Sequence, residues 1–232
     1  MFITFEGGEG SGKTTQAQAL HQRLTGLRIP AVLTYEPGGT LLGDHIRALL
    51  KWAQYELSPR AELLLFAAAR AQLTTQVIGP ALEQGKVVVC DRFAASSVAY
   101  QGYARGLNIS DIDKVNAIAT QGLQPDLTVL LDIAVELGLA RKGPSPPDRF
   151  EKELLDFHKK LRQGYLDLAA ADPRLWLVID ATLPQKQVEE LIWQRVSALL
   201  PARTSTYKCH SEGARRPKNP DSLSFLFRKD SE

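Results

Sequence analysis

Short apolar runs alternate with longer segments in which apolar positions recur every three or four residues. Runs at 2–5, 31–35, 87–90, 127–132 and 175–180 read as strands. Segments at 14–24, 41–52, 60–84, several stretches up to about 121, and 184–200 read as helices. The 60–84 segment is expected to bend near Gly79-Pro80, because proline removes a donor and clashes with the preceding turn. Strands that are apolar along their whole length, separated by helices, predict an α/β fold. Its sheet would be parallel, five-stranded and covered by helices on both faces.

Two segments break the pattern. Residues 142–148, K-G-P-S-P-P-D, cannot be regular structure and read as a mobile connection. Residues 204–232 are polar and aperiodic and read as a disordered tail after one domain spanning 1–203.

Composition narrows the class. The chain has 232 residues, 44% of them apolar, which suffices for one sizeable core. A net charge of +2 gives no field suited to nucleic acid. No apolar run approaches the roughly 18–20 residues that span a bilayer. Cys90 and Cys209 lack metal-ligand spacing and suggest a reducing compartment. Without a basic n-region or cleavage pattern near Met1, a cytoplasmic location is expected. His21, His45, His158 and His210 have no paired spacing and are given no role.

The strongest chemical signal is E-G-G-E-G-S-G-K-T-T at 6–15. Gly7, Gly8, Glu9, Gly10, Ser11, Gly12, Lys13 and Thr14 fit G-x-x-x-x-G-K-[ST], with a strand before and a helix after. Backbone N–H groups freed by small residues curl around a β-phosphate, and the helix adds its positive end. Lys13 would reach the β- and γ-phosphates and the Thr14 hydroxyl would ligate Mg²⁺. A nucleoside triphosphate with Mg²⁺ is therefore the expected ligand. The guanine-reading N-K-x-D and the GTPase D-x-x-G are both absent. V-V-V-C-D at 87–91 reads as a metal-side strand with Asp91 near the ion, followed at once by Arg92. A small phosphotransferase fits best. Glu9, an acid inside a phosphate loop, is the oddity.

Further motifs accompany the loop: E-P-G-G-T at 36–40, L-L-F-A-A-A-R at 64–70, C-D-R-F-A-A-S-S-V-A-Y-Q-G at 90–102, P-D-L-T at 125–128 and D-R-F-E at 148–151. Together the chain resembles the bacterial thymidylate kinases, P-loop nucleoside monophosphate kinases, from residue 2 to about 200. The resemblance implies ATP and dTMP as substrates, dTDP for dTTP synthesis as the product, and a homodimer.

It also implies site roles. Phe66 and Arg70 share a helix face; the ring would stack on thymine and the guanidinium bond its carbonyl. Arg92 and Arg47 would hold the dTMP phosphate. Ser96, Ser97, Tyr100 and Gln101 would contact base and sugar. The Glu9 carboxylate would face the sugar and accept from its 3′-hydroxyl. The segment at about 141–150 would be a lid over ATP, with Arg141 as its catalytic cation and Arg149 ordering it. Arg141 also reads simply as a cation at a helix C-terminus. Tyr165 would approach the nucleoside or sit in the core, with Asp167 nearby. Tyr35 departs from the arginine that many bacterial members carry before E-P-G-G-T, and the loop itself offers no arginine. Two other readings stay open: a kinase for UMP/CMP, AMP or GMP, and a regulator that binds ATP without transferring phosphate.

Overall fold

Each of the five apolar runs read as strands forms one. The computed structural model describes residues 1–53, 55–141 and 148–200. Its strands are β1 (Phe2–Glu6), β2 (Ala31–Tyr35), β3 (Val87–Asp91), β4 (Leu127–Asp132) and β5 (Trp176–Asp180). They form one parallel sheet in the order β2-β3-β1-β4-β5. Both faces are covered because both parities of each central strand are apolar. Ile3, Phe5, Val87 and Val89 pack with Leu20 and Leu24 of α1 (Lys13–Gly26) and Val188 and Ile192 of α9 (Gln185–Leu199). Phe2, Val88 and Cys90 face the other way, against Leu73, Ile78 and Ala81. The remaining helices are α2 (Leu41–Trp52), α3 (Pro59–Leu73), α4 (Gly79–Glu83), α5 (Ala94–Ser97), α6 (Ile109–Thr120), α7 (Val135–Ala140) and α8 (Leu155–Ala171).

The strand order fixes where a ligand can sit. The chain leaving β1 crosses to β2, on one side of the β3–β1 pair, and the chain leaving β3 crosses over β1 to β4, on the other side. A crevice therefore opens beyond the carboxyl ends of β1 and β3, the position at which open parallel sheets bind ligands.

Three expectations are sharpened. The 60–84 stretch is distorted next to Gly79-Pro80, in a π-helical turn at Thr74–Ile78. A widened turn accommodates a residue that cannot donate and whose ring crowds the preceding carbonyl. The 90–102 motif likewise continues from α5 into a π-helical segment, Val98–Ala104, which carries Tyr100 and Gln101. Asp148, expected in the irregular connection, is buried. It accepts from the Phe150 and Glu151 N–H groups at 3.0 and 3.1 Å and pairs with Lys51 at 2.9 Å. Residues 142–147 and the tail after 200 lie outside the described residues, and Met1–Leu200 is one compact unit.

Candidate active site

The glycine loop joins β1 to α1 through residues 7–12, and Gly12 takes a left-handed φ of 86° that starts the helix. A side chain at Gly10 would not fit: its Cβ would lie 1.9 Å from the Gly138 carbonyl oxygen of α7, at a φ of 67°. Backbone touching backbone here explains why this loop position carries no arginine. Ser11 is buried and its hydroxyl donates to Gly8 O at 2.9 Å. Lys13 is nearly buried, with Nζ on Gly8 O at 2.7 Å and on Ser11 Oγ at 3.3 Å. Burial, reinforced by the Arg92 charge, lowers its ammonium to about 8. The Thr14 hydroxyl donates to Asp91 Oδ2 at 2.5 Å.

Arg92 follows β3 in a left-handed conformation, φ 72°. Its guanidinium reaches Gly7 O at 3.1 Å, Glu9 Oε1 at 3.2 Å and the Tyr165 hydroxyl at 3.2 Å. The Tyr100 hydroxyl donates to the same Glu9 oxygen at 3.0 Å. The acid in the phosphate loop is therefore held by a cation and a phenol, and its charge is offset locally. Beneath lies Glu6, fully buried at the end of β1. It accepts from the Phe93 N–H at 2.8 Å, the Ser96 hydroxyl at 2.7 Å and the Tyr165 hydroxyl at 2.8 Å. Burial pushes its carboxyl up, against the pull of Arg92.

Loop and acceptor residues meet in one cavity of about 700 Å³. Its wall contains Glu9, Gly10, Gly12, Lys13, Thr14, Asp91 and Arg92 on one side. On the other stand Arg47, Phe66, Ser96, Ser97, Tyr100 and Gln101. Phe66 and Tyr100 flank Phe150, with ring centroids 5.9 and 5.7 Å from it, so a planar apolar group would meet aromatic surface. Four buried side-chain atoms without a hydrogen-bond partner belong to this wall: Glu36 Oε1, Asp91 Oδ1, Ser97 Oγ and Gln101 Oε1. Unpaired buried polar atoms are costly, and their concentration here marks a place where a polar ligand completes them.

Several residues with expected roles stand outside the cavity wall. Arg70 does not line the cavity. It is fully buried and bonds Glu36 Oε2 at 2.8 Å, Asn116 Oδ1 at 2.6 Å and Phe93 O at 3.3 Å, so it braces the wall from behind. Arg141, expected to be the lid's catalytic cation, sits at the C-terminal end of α7. It donates to Ala181 O at 2.9 Å, away from the cavity wall, where it satisfies a carbonyl just past β5. Tyr165 is core, with its hydroxyl on Glu6 and Ser96, and does not line the cavity. Arg149 lies outside the cavity wall too. Its Nε donates to Leu50 O at 3.0 Å and its Nη2 pairs with Glu62 at 2.6 Å, which pins the segment after residue 147.

The Tyr35 departure has a structural counterpart. Its hydroxyl donates to Asp44 at 2.9 Å, and the Arg47 guanidinium lies 5.3 Å from its ring centroid. Arg47 also donates to Pro37 O at 2.9 Å. Tyr35 thus offers a face for Arg47 where an arginine would have added a second charge. Sequence reasoning missed Glu6, Glu36, Lys51 and Phe150 as parts of the site or its support. The signal for Glu6 was a carboxylate ending an otherwise apolar strand beside the loop; for Phe150 it was an aromatic within D-R-F-E.

Comparison with known proteins identifies the family. The thymidylate kinase family model matches residues 5–192. A thymidylate kinase of Dehalococcoides mccartyi is 51% identical over 201 residues, 86% of this chain and 97% of that one. A thymidylate kinase of Deinococcus radiodurans is 49% identical over 200 residues, 85% and 96% of the two chains. The crystal structure of thymidylate kinase from Ehrlichia chaffeensis superposes with a TM-score of 0.69 at 34% identity, covering 86% of this chain and 98% of that one. The sheet is thus that of a P-loop NTPase, and with a family model and near-full-length relatives in agreement, the chain belongs to the thymidylate kinase family.

Proposed function

We propose that the protein transfers the γ-phosphoryl group of ATP to dTMP, giving ADP and dTDP. The observation that carries this reading is the single cavity in which a phosphate loop faces an aromatic-lined wall, with Arg92 between them. Phosphoryl transfer needs alignment and neutralisation of spread charge more than covalent chemistry. The loop N–H groups and Lys13 hold the donor phosphates. Arg47 and Arg92 hold the acceptor phosphate, and Phe66, Ser96, Ser97, Tyr100 and Gln101 receive the nucleoside. Glu9 stays at the boundary, and an acceptor sugar hydroxyl would compete with Tyr100 for its carboxylate.

Thr14 and Asp91 would hold Mg²⁺ together with the phosphates. The fit is good: a hydroxyl and a carboxylate stand side by side, and Asp91 Oδ1 is buried without a partner, as a hard cation with oxygen ligands requires. When bound, the ion neutralises charge on the transferring group. Resemblance to the family also supports a cytoplasmic homodimer. Leu64 of α3 and Ile118 of α6, 58% and 80% exposed, are apolar positions that such a contact could cover. Among the described residues, no helix is long and apolar enough to cross a membrane.

Thermal denaturation with nucleoside monophosphates tests the acceptor assignment. At a hundred times its Kd, dTMP is expected to raise Tm by about 5–10 °C, from about 2.7 kcal/mol of linked stabilisation. At the same concentration dUMP should give less and AMP almost none. A larger shift with AMP than with dTMP would assign the cavity to another acceptor.

Lys13 gives a pH dependence with a definite sign. Its ammonium, at about 8 in the free protein, is the form that binds phosphate. Below pH 8 it is charged and ATP binds fully. Above pH 8 the protein must take up a proton to bind, so the Kd for ATP is expected to rise by up to about tenfold per pH unit. Calorimetric titrations from pH 7 to 9.5 measure this; a flat profile would show that Lys13 keeps its proton throughout.

A further inference from the structure

Glu62 lies on α3 with no exposed surface, one layer behind the cavity. Its Oε1 accepts from Gln101 Nε2 at 2.7 Å and from Arg105 Nε at 3.4 Å. Its Oε2 accepts from Arg105 Nη2 at 3.3 Å and pairs with Arg149 Nη2 at 2.6 Å. Arg105 in turn pairs with Glu153 at 2.6 Å. A carboxylate offers acceptors only, so the Gln101 amide must turn its nitrogen toward Glu62. Its carbonyl oxygen is left over. That oxygen is buried and has no hydrogen-bond partner, and Gln101, 1% exposed, lines the cavity.

We propose that Glu62 is a positioning residue for acceptor recognition: it locks the Gln101 amide so that a bare acceptor oxygen faces the base. The proposal rests on the dTMP reading above. An amide free to rotate could offer either a donor or an acceptor and would discriminate poorly. Locked, it favours a base whose ring nitrogen carries a proton, as N3 of thymine does. It disfavours cytosine, whose N3 presents a lone pair that would leave the buried oxygen unpaired. Arg149 and Glu153, which close the same network, come after the segment at 142–147. Base recognition and the chain following that segment therefore share one buried carboxylate.

The test compares kcat/KM for dTMP and dCMP in the full-length protein, because their ratio does not depend on the fraction of folded enzyme. Glu62→Gln can present its own amide either way round and so releases the lock. It is expected to lower the dTMP:dCMP ratio by about tenfold or more, mainly through a higher KM for dTMP. Gln101→Leu should lower the ratio as well, and adding Glu62→Gln to it should change the ratio no further. If Glu62→Gln does not yield folded protein, Glu62→Asp keeps the charge facing Arg105 and Arg149 but draws it back from Gln101, and the ratio should fall again. A wild-type ratio in the Glu62 variant, or an equal further fall in the Gln101→Leu background, would overturn the proposal. A wild-type enzyme that does not prefer dTMP to dCMP would instead refute the dTMP reading itself.

Discussion

Arg92→Ala is expected to lower kcat/KM for dTMP by about 10²–10³-fold while changing ATP affinity less than about tenfold. Arg92 is the cation fixed between the two halves of the site. Its N–H bonds Phe5 O at 2.9 Å, and its guanidinium spans from the loop, at Gly7 and Glu9, to Ser96 of the acceptor wall and Tyr165 behind it. A non-glycine residue at φ 72° costs on the order of 1–3 kcal/mol, and the surrounding bonds hold it there. Removing the side chain deletes a charge on the acceptor phosphate. It also leaves Glu9 without its cation beside a polyanion. Both losses fall on the step that joins the substrates, so kcat/KM for dTMP should suffer most. Arg92→Lys restores charge but not the planar fork, and should recover only part of the rate. Equal losses toward ATP and dTMP would reduce Arg92 to a structural brace.

Arg70→Ala is expected to destabilise the fold by about 3–5 kcal/mol, because removing one partner of a buried pair strands the other. Among the described residues Arg70 is the largest fully buried side chain, and its partners Glu36, Asn116 and the Phe93 carbonyl belong to three separate segments. For a domain of this size the loss corresponds to a fall in Tm of about 6–20 °C. The sign of its pH dependence follows from Glu36. Burial raises the Glu36 carboxyl to about 7 even with Arg70 opposing the shift. Without Arg70 the carboxyl rises further, so the folded variant holds a proton that wild type releases above pH 7. The unfolded chain has already lost that proton in both. Stability of the variant relative to wild type must therefore fall as pH rises through and above 7. Denaturant melts at pH 6 and 8.5 check this: the deficit should be larger at 8.5. Combining Glu36→Gln with Arg70→Ala should recover part of it at the higher pH.

The sheet and the phosphate loop were legible because their determinants are local. Continuous apolar runs bury on both faces, and the loop acts through backbone N–H groups that only its own small residues expose. The partners of the arginines were not legible. Arg70 and Phe66 share a helix face by spacing, yet Phe66 reaches the cavity while Arg70 is turned away by Glu36, 34 positions earlier in the chain, and Asn116, 46 positions later. Arg141 read either as a lid cation or as a cation at a helix C-terminus, and the carbonyl 40 residues later that takes its hydrogen bond could not be seen from spacing. Glu9 looked misplaced for the same reason: its partners Arg92 and Tyr100 are 83 and 91 residues away. The π-helical segments were missed because hydrophobic periodicity reports which face is buried, not which carbonyl each N–H reaches.

The most direct measurement is the fate of a labelled γ-phosphate. The full-length protein is incubated with Mg²⁺, γ-labelled ATP and dTMP, and the products are separated. The expected result is label in dTDP in one-to-one stoichiometry with ADP, with turnover abolished when dTMP is omitted. Label released only as inorganic phosphate, or carried to UMP or AMP in preference to dTMP, would contradict the assignment of this cavity to a thymidylate acceptor.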